Sequence, residues 1–175
     1  MTPPVFLRGE SVTLRPVEEQ DAEFLQEHIN DPEIWRSLKR RQPISDHEER
    51  EWIQSLGEED GVSFVVYADG APVGNIGLTD RNDQSGTAEI GFWVAPDEQG
   101  NGYGREACEL VVGYGFDQLR LAKITAEAYA FNDASRGLLE SVGFTHEATL
   151  REQAYVEGDR VDLIIYGLLA EEWDV

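Results

Sequence analysis

The fold is decided by Thr87-Ala88-Glu89-Ile90-Gly91-Phe92-Trp93-Val94-Ala95-Pro96-Asp97-Glu98-Gln99-Gly100-Asn101-Gly102-Tyr103-Gly104-Arg105. Apolar and β-favouring residues fall on both faces of Thr87 to Val94, which predicts a buried, central strand. Ala95-Pro96-Asp97-Glu98 ends it, because proline cannot donate to a ladder and the acids favour a loop. Beyond the glycines, Tyr103, Ala107, Leu110, Val111, Tyr114 and Leu119 recur at near-helical spacing. The glycines therefore sit between a buried strand and the first turn of an amphipathic helix.

Such a junction suits an anion. The first amides of a helix lack intrahelical partners, and the macrodipole adds positive character there. Glycines let a phosphate approach the backbone and tolerate positive φ. No lysine stands where a P-loop would place one. A plain strand-to-helix turn is the simpler reading. Gly102-Tyr103-Gly104-Arg105-Glu106-Ala107 also fits the dinucleotide pattern G-x-G-x-x-A, with Glu127 at about the spacing of a ribose contact. Against that rival, a proline loop separates strand from glycines, and little chain follows for a second half.

Working outward, the whole 175-residue chain reads as one domain, residues 1–175, without repeats, linkers or low-complexity segments. Ser11 to Arg15 alternates as a strand. Glu18 to Ile29 reads as a helix closed by Asp31-Pro32, and Ser45-Asp46-His47-Glu48 is a capping box for a helix bearing Trp52, Ile53 and Leu56. Val62–Ala68 and Ala71–Leu78 are strands joined by Asp69-Gly70, a two-residue hairpin signal. Ala122–Tyr129 is a strand, parallel to Thr87–Val94 because a helix crosses over between them. Asn132 or Asp133 caps a helix ended by Gly143-Phe144, and Thr145–Leu150 and Val161–Leu169 complete a mixed sheet.

Composition sets limits on partners. Thirty-five acids against 14 bases give a net charge of −21, a field that repels nucleic acid and anionic membranes. Lys39 and Lys123 are the only lysines. An acid-rich, lysine-poor chain suggests a halophilic cytosol. The sole cysteine, Cys108, excludes an intrachain disulfide, and no signal peptide or membrane-length apolar run is seen, so a cytoplasmic protein is expected. His28, His47 and His146 are isolated, so no metal site is expected.

Gln99-Gly100-Asn101-Gly102-Tyr103-Gly104 resembles the Q/R-x-x-G-x-G/A acyl-CoA signature of the GNAT N-acetyltransferase superfamily. Leu14-Arg15-Pro16, Asp21-Ala22, Asp31-Pro32-Glu33, Ala88 to Val94, Arg105-Glu106-Ala107 and Asn132 through Ser135 to Gly143-Phe144 resemble its RimJ/RimL-type branch. The pieces come in the family's order and cover nearly the whole chain. The resemblance implies the GNAT fold: an α/β (α+β) domain with a mixed, mostly antiparallel sheet of about seven strands flanked by helices. It implies acetyl-CoA as acyl donor and a primary amine as acceptor, either a protein N-terminus or a small amine. Attack would be direct, in a ternary complex. A homodimer is common in the fold.

The resemblance also assigns the site. Amides from Gln99 to Arg105 would hold the pyrophosphate. The strands Thr87–Val94 and Ala122–Tyr129 would splay to admit the pantetheine arm beside Phe92, Trp93 and Val94, with Asn132 holding the donor chain. Glu89 shares a strand face with Gly91 and Trp93, so it is the candidate base, with Glu106 and Glu127 weaker ones. A strand-end acid bonded to a nearby loop is the structural alternative for Glu89. Ser135 matches the branch's serine and is the candidate acid, although Asn132 and Ser135 also suit plain helix capping. Two positions depart from the pattern. Leu139 stands where many members carry tyrosine, and Ala154 where a glutamate is sometimes paired with the serine. They keep open a non-catalytic acyl-CoA-binding module. Trp35 is a candidate pocket wall or a structural anchor.

Overall fold

The computed structural model describes residues 1–58 and 60–174. Among the described residues eight strands form one sheet: β1 (Leu7–Arg8), β2 (Val12–Pro16), β3 (Val62–Ala68), β4 (Ala71–Asn82), β5 (Thr87–Val94), β6 (Lys123–Tyr129), β7 (Thr145–Val156) and β8 (Asp159–Leu169). Their order is β1-β2-β3-β4-β5-β6-β8-β7, and only β5 and β6 run parallel. The eighth strand is the two-residue β1, too short to give a periodic signal.

Five α-helices among the described residues cover the faces: α1 (Ala22–Ile29), α2 (Pro32–Trp35), α3 (Asp46–Ser55), α4 (Tyr103–Asp117) and α5 (Asp133–Val142). Strand parity sorts the core. Phe64 and Val66 of β3 join Ile76, Ile90, Ile124, Val111 and Leu139 under α4 and α5. Val65 and Tyr67 pack on the opposite face with Leu25 of α1 and Ile53 of α3. Both faces of β3 are covered, which is why its run is apolar rather than alternating.

Several boundaries differ from the sequence reading: β8 begins at Asp159 rather than Val161, α1 begins at Ala22 rather than Glu18, and three others carry more. Asp31-Pro32 does not merely stop α1: the Asp31 carboxylate accepts from the Glu33 amide at 2.8 Å, with Pro32 in the first helical position. Proline there starts a helix as readily as it ends one. β7 runs on to Val156, because its side chains are mostly exposed and leave no alternating pattern. It then turns through Glu157 (φ 51°) and Gly158 (φ 93°), both left-handed as a two-residue hairpin turn demands. β4 continues past Leu78 to Asn82, beyond an irregularity in its pairing with β5.

One buried polar pair ties α1 to the sheet. Asp21, 4% exposed, accepts the Tyr67 hydroxyl at 3.0 Å and the Glu18 amide at 2.9 Å. Burial and the Asp21 charge push the Tyr67 hydroxyl up to about 12. Tyr67→Phe leaves a buried carboxylate oxygen without its donor, so stability should fall by about 1–3 kcal/mol in denaturant titrations. An unchanged midpoint would show that the pair contributes nothing.

Candidate active site

β5 and β6 pair only at Thr87↔Lys123, Ala88↔Ile124 and Glu89↔Thr125. Beyond Glu89 they part. β5 stays on β4 as far as Gly74↔Val94, while β6 stays on β8 as far as Tyr129↔Leu163. The β6-facing edge of β5 therefore has no strand partner from Ile90 to Val94. A cavity of about 640 Å³ fills the opening.

Its lining comes from both sides of the sheet. Ala88, Ile90 and Phe92 lie against the α4–α5 core, so Glu89, Gly91 and Trp93 point the other way. From the α4–α5 side come Gly102, Tyr103, Gly104, Arg105, Asn132, Ser135 and Leu138. From the opposite side come Glu33, Ile34, Ser37, Leu38, Lys39 and Glu127. The cavity thus passes between two strands, with one end on each face of the sheet.

The glycine loop forms one entrance. Gly100 (φ 84°) and Gly102 (φ 81°) are left-handed, and a Cβ on either would meet nothing within 4 Å. Backbone conformation, not crowding, selects glycine there. Gly104 is different: a Cβ would lie 3.1 Å from Leu138 Cδ1 and 3.3 Å from Val94 Cγ2, so its smallness lets α4 approach α5 and β5. No side chain caps α4, which leaves the amides of Tyr103, Gly104 and Arg105 without intrahelical acceptors. The Gln99 side chain donates to Val94 O at 2.9 Å, bracing the strand end. Asn101 is the one residue of the expected set outside the cavity wall; its amide donates to Glu98 O at 3.0 Å. Arg105 Nε is held by Glu109 at 3.0 Å.

Ionisable groups gather at the other entrance. Lys39 Nζ lies 3.7 Å from Glu89 Oε1 and in ion contact with Glu127 Oε2. Burial raises the Glu89 pKa, and the Glu127 charge adds to this against the lowering effect of Lys39. For Lys39, burial alone would lower the pKa, yet the Glu127 and Glu89 carboxylates outweigh it and hold the ammonium protonated. Glu89 is thus joined by a loop side chain, as its structural alternative foresaw, but inside the cavity. Sequence reasoning ranked Glu127 low and missed Lys39. Strand alternation through Thr125 and Tyr129 puts Glu127 on the Glu89 face, whereas Lys39 follows α2 in a segment without periodicity.

Other candidates separate. Glu106 turns away from the cavity and accepts the Ser11 and Val12 amides at 2.9 and 3.3 Å, bracing the β1–β2 turn. Asn132 Oδ1 caps α5 through the Ser135 amide at 3.1 Å, while both residues also line the cavity. Leu139 is fully buried in the core, and its neighbour Leu138 takes the cavity-facing position. Ala154 packs with Tyr129, Val156 and Leu163, outside the cavity wall. Trp35 borders a separate hollow with Gln26, Asn30 and Arg41. Trp93 is fixed by His28, stacked at 5.9 Å, and by Phe24 at 5.8 Å. Cys108 is fully buried and its thiol is pushed up by that burial, so it is inert. Among the described residues no cluster of metal-ligating side chains occurs, and no helix is long and apolar enough to cross a membrane.

The chain is similar to YdaF of Bacillus subtilis (strain 168), provisionally named a ribosomal N-acetyltransferase, with 32% identity over 174 residues and 95% of each chain covered. Among solved structures it resembles spermidine N-acetyltransferase from Vibrio cholerae, in complex with CoA and spermine. That match has 25% identity, a TM-score of 0.89, and covers 94% of this chain and 99% of the other. Mycobacterium smegmatis RimJ, in complex with CoA-disulfide, matches at 25% identity and a TM-score of 0.84, covering 94% and 84%. Residues 11–145 match the family described as the acetyltransferase (GNAT) domain, and the chain belongs to that family.

Proposed function

We propose that this protein transfers the acetyl group of acetyl-CoA to a primary amine by direct attack, with donor and acceptor bound together. The observation that carries the proposal is the cavity crossing the sheet where β5 and β6 part. On the α4–α5 side, the amides from Gln99 to Arg105 bind the donor's pyrophosphate, those of Tyr103, Gly104 and Arg105 acting as unpartnered helix-start amides do. The unpaired edge from Ile90 to Val94 takes the pantetheine arm, and Asn132 borders its path. The acceptor enters from the side of Glu89 and Glu127.

The chemistry then follows from position. Glu89, its pKa raised by burial, accepts the proton of the attacking amine, directly or through water. The new N–C bond forms as the C–S bond breaks. Backbone amides near Trp93 and Val94 stabilise the carbonyl oxygen as it gains charge. The Ser135 hydroxyl, on the cavity wall, donates a proton to the departing sulfur. A cytosolic setting suits the chain's single, buried thiol. Burial of Leu139 favours one second reading, an acyl-CoA-binding module without turnover, because no tyrosine occupies that position to serve as the acid.

Free-thiol release from acetyl-CoA against a panel of amines and N-terminal peptides, run in concentrated KCl, decides between them. Turnover with one acceptor class supports transfer. A thermal shift with acetyl-CoA but no turnover supports the binding module.

Two variants test the parts. Gly102→Asp should abolish CoA binding by setting a carboxylate against the pyrophosphate. Gly102→Ala bears similar backbone strain without charge and should bind more tightly than Gly102→Asp. Equal affinities for both would remove the phosphate-loop assignment. Glu89→Gln should keep CoA affinity and lower turnover by about 10²- to 10⁴-fold. In the wild type, turnover should rise with pH through a window above the ordinary carboxylate value of 4.5, because a raised pKa delays ionisation of the base. Wild-type turnover in Glu89→Gln would return Glu89 to a structural role.

A further inference from the structure

We propose that Lys39 is a tethered stand-in for the acceptor: its ammonium holds the acceptor's place, and the acceptor binds by displacing it. The inference rests on the acetyl-transfer reading and adds how the amine is recognised. Two carboxylates, Glu89 and Glu127, face the cavity from adjacent strands and share one cation. The buried Glu127 Oε2 accepts no hydrogen bond among the described residues beyond its ion contact with Lys39. Neighbouring carboxylates stripped of a cation repel each other, and a buried one lacks solvation. The pair therefore needs a positive charge in both the empty and the occupied site.

Lys39 is suited to filling the site only while it is empty. Its side chain is 61% exposed, and ion pairs that open to water are weak. The flanking backbone, by contrast, is pinned by hydrogen bonds. Arg41 donates to Leu38 O at 2.5 Å and to the Tyr129 hydroxyl at 3.2 Å, and that hydroxyl donates to Leu38 O at 3.3 Å. Lys39 can thus leave by rotating its own side chain, while Leu38 remains in the wall.

The stand-in also defines what it stands for. The position accommodates an ammonium on an unbranched alkyl stem, which selects an alkyl primary amine over an α-amine branched beside a carbonyl. A site occupied part of the time by its own lysine binds the acceptor with an affinity reduced by the occupied fraction.

The test compares wild type with Lys39→Met, which keeps an unbranched stem without the charge, and Lys39→Arg, which keeps the charge. Putrescine is the probe, followed both as KM in the thiol-release assay and as Kd by calorimetry without acetyl-CoA. Lys39→Met should lower both constants roughly two- to five-fold, the range that an exposed ion pair spans. Lys39→Arg should stay near wild type, and the acetyl-CoA Kd should not move in either. A putrescine Kd that rises or stays unchanged in Lys39→Met overturns the proposal and leaves Lys39 a fixed neutraliser of the pair. Putrescine that binds neither protein overturns the alkylammonium assignment. Calorimetry decides this without turnover, so failure of the transferase reading would show separately, as absent thiol release in every protein.

Discussion

Three residue pairs of parallel ladder, Thr87 to Glu89 against Lys123 to Thr125, set the geometry on which the site depends. They hold β5 and β6 together at one end, and the separate loyalties of the two strands pull them apart at the other. β5 follows β4 and β6 follows β8, so neither strand bends back to close the ladder. An unpaired strand edge inside a protein is normally a cost, since backbone groups lose partners. Here the edge faces a cavity, and the proposed reading assigns its pairing to the donor arm. The glycine loop follows β5 after the short turn of residues 95–98, so a phosphate site and an open edge are placed in series by one stretch of chain.

Charge is arranged around that opening with opposite logic at its two ends. The donor end offers helix-start amides and no acidic cap, in a chain whose net charge is −21. Glu106, the acid in the first turn of α4, is withdrawn by the Ser11 and Val12 amides. The acceptor end gathers Glu89 and Glu127 and neutralises them with one of only two lysines. On the proposed reading, this charge pattern draws an anionic donor and a cationic acceptor to opposite faces of the sheet.

Much of this was legible from residues 87 to 119. A central strand, a proline stop and paired glycines before a helical pattern need only local rules, and the structure keeps these. Burial on both faces of β5 is not kept: only Ala88 and Ile90 are buried, and the Glu89, Gly91 and Trp93 face opens on the cavity. The Asp69-Gly70 hairpin was equally plain, because left-handed backbone restricts residue choice sharply. What escaped notice lacked a periodic signal. α2 is a single short element whose proline reads as a stop or a start, and β7 shows almost no buried face. Lys39 acts through a contact spanning fifty residues to Glu89 and more to Glu127, which no spacing rule anticipates. Asn132 showed the opposite limit: capping and cavity lining are compatible, so the sequence alternatives were not exclusive.

Amide hydrogen exchange with and without CoA tests most directly whether the parted strands receive the donor. Slowed exchange should appear at the cavity-facing amides between Ile90 and Val94 and at those from Gln99 to Arg105. The ladder from Thr87 to Glu89, already paired with β6, should change little. Slowing confined to the glycine loop, or located away from β5, would contradict a donor arm seated in the gap between the strands.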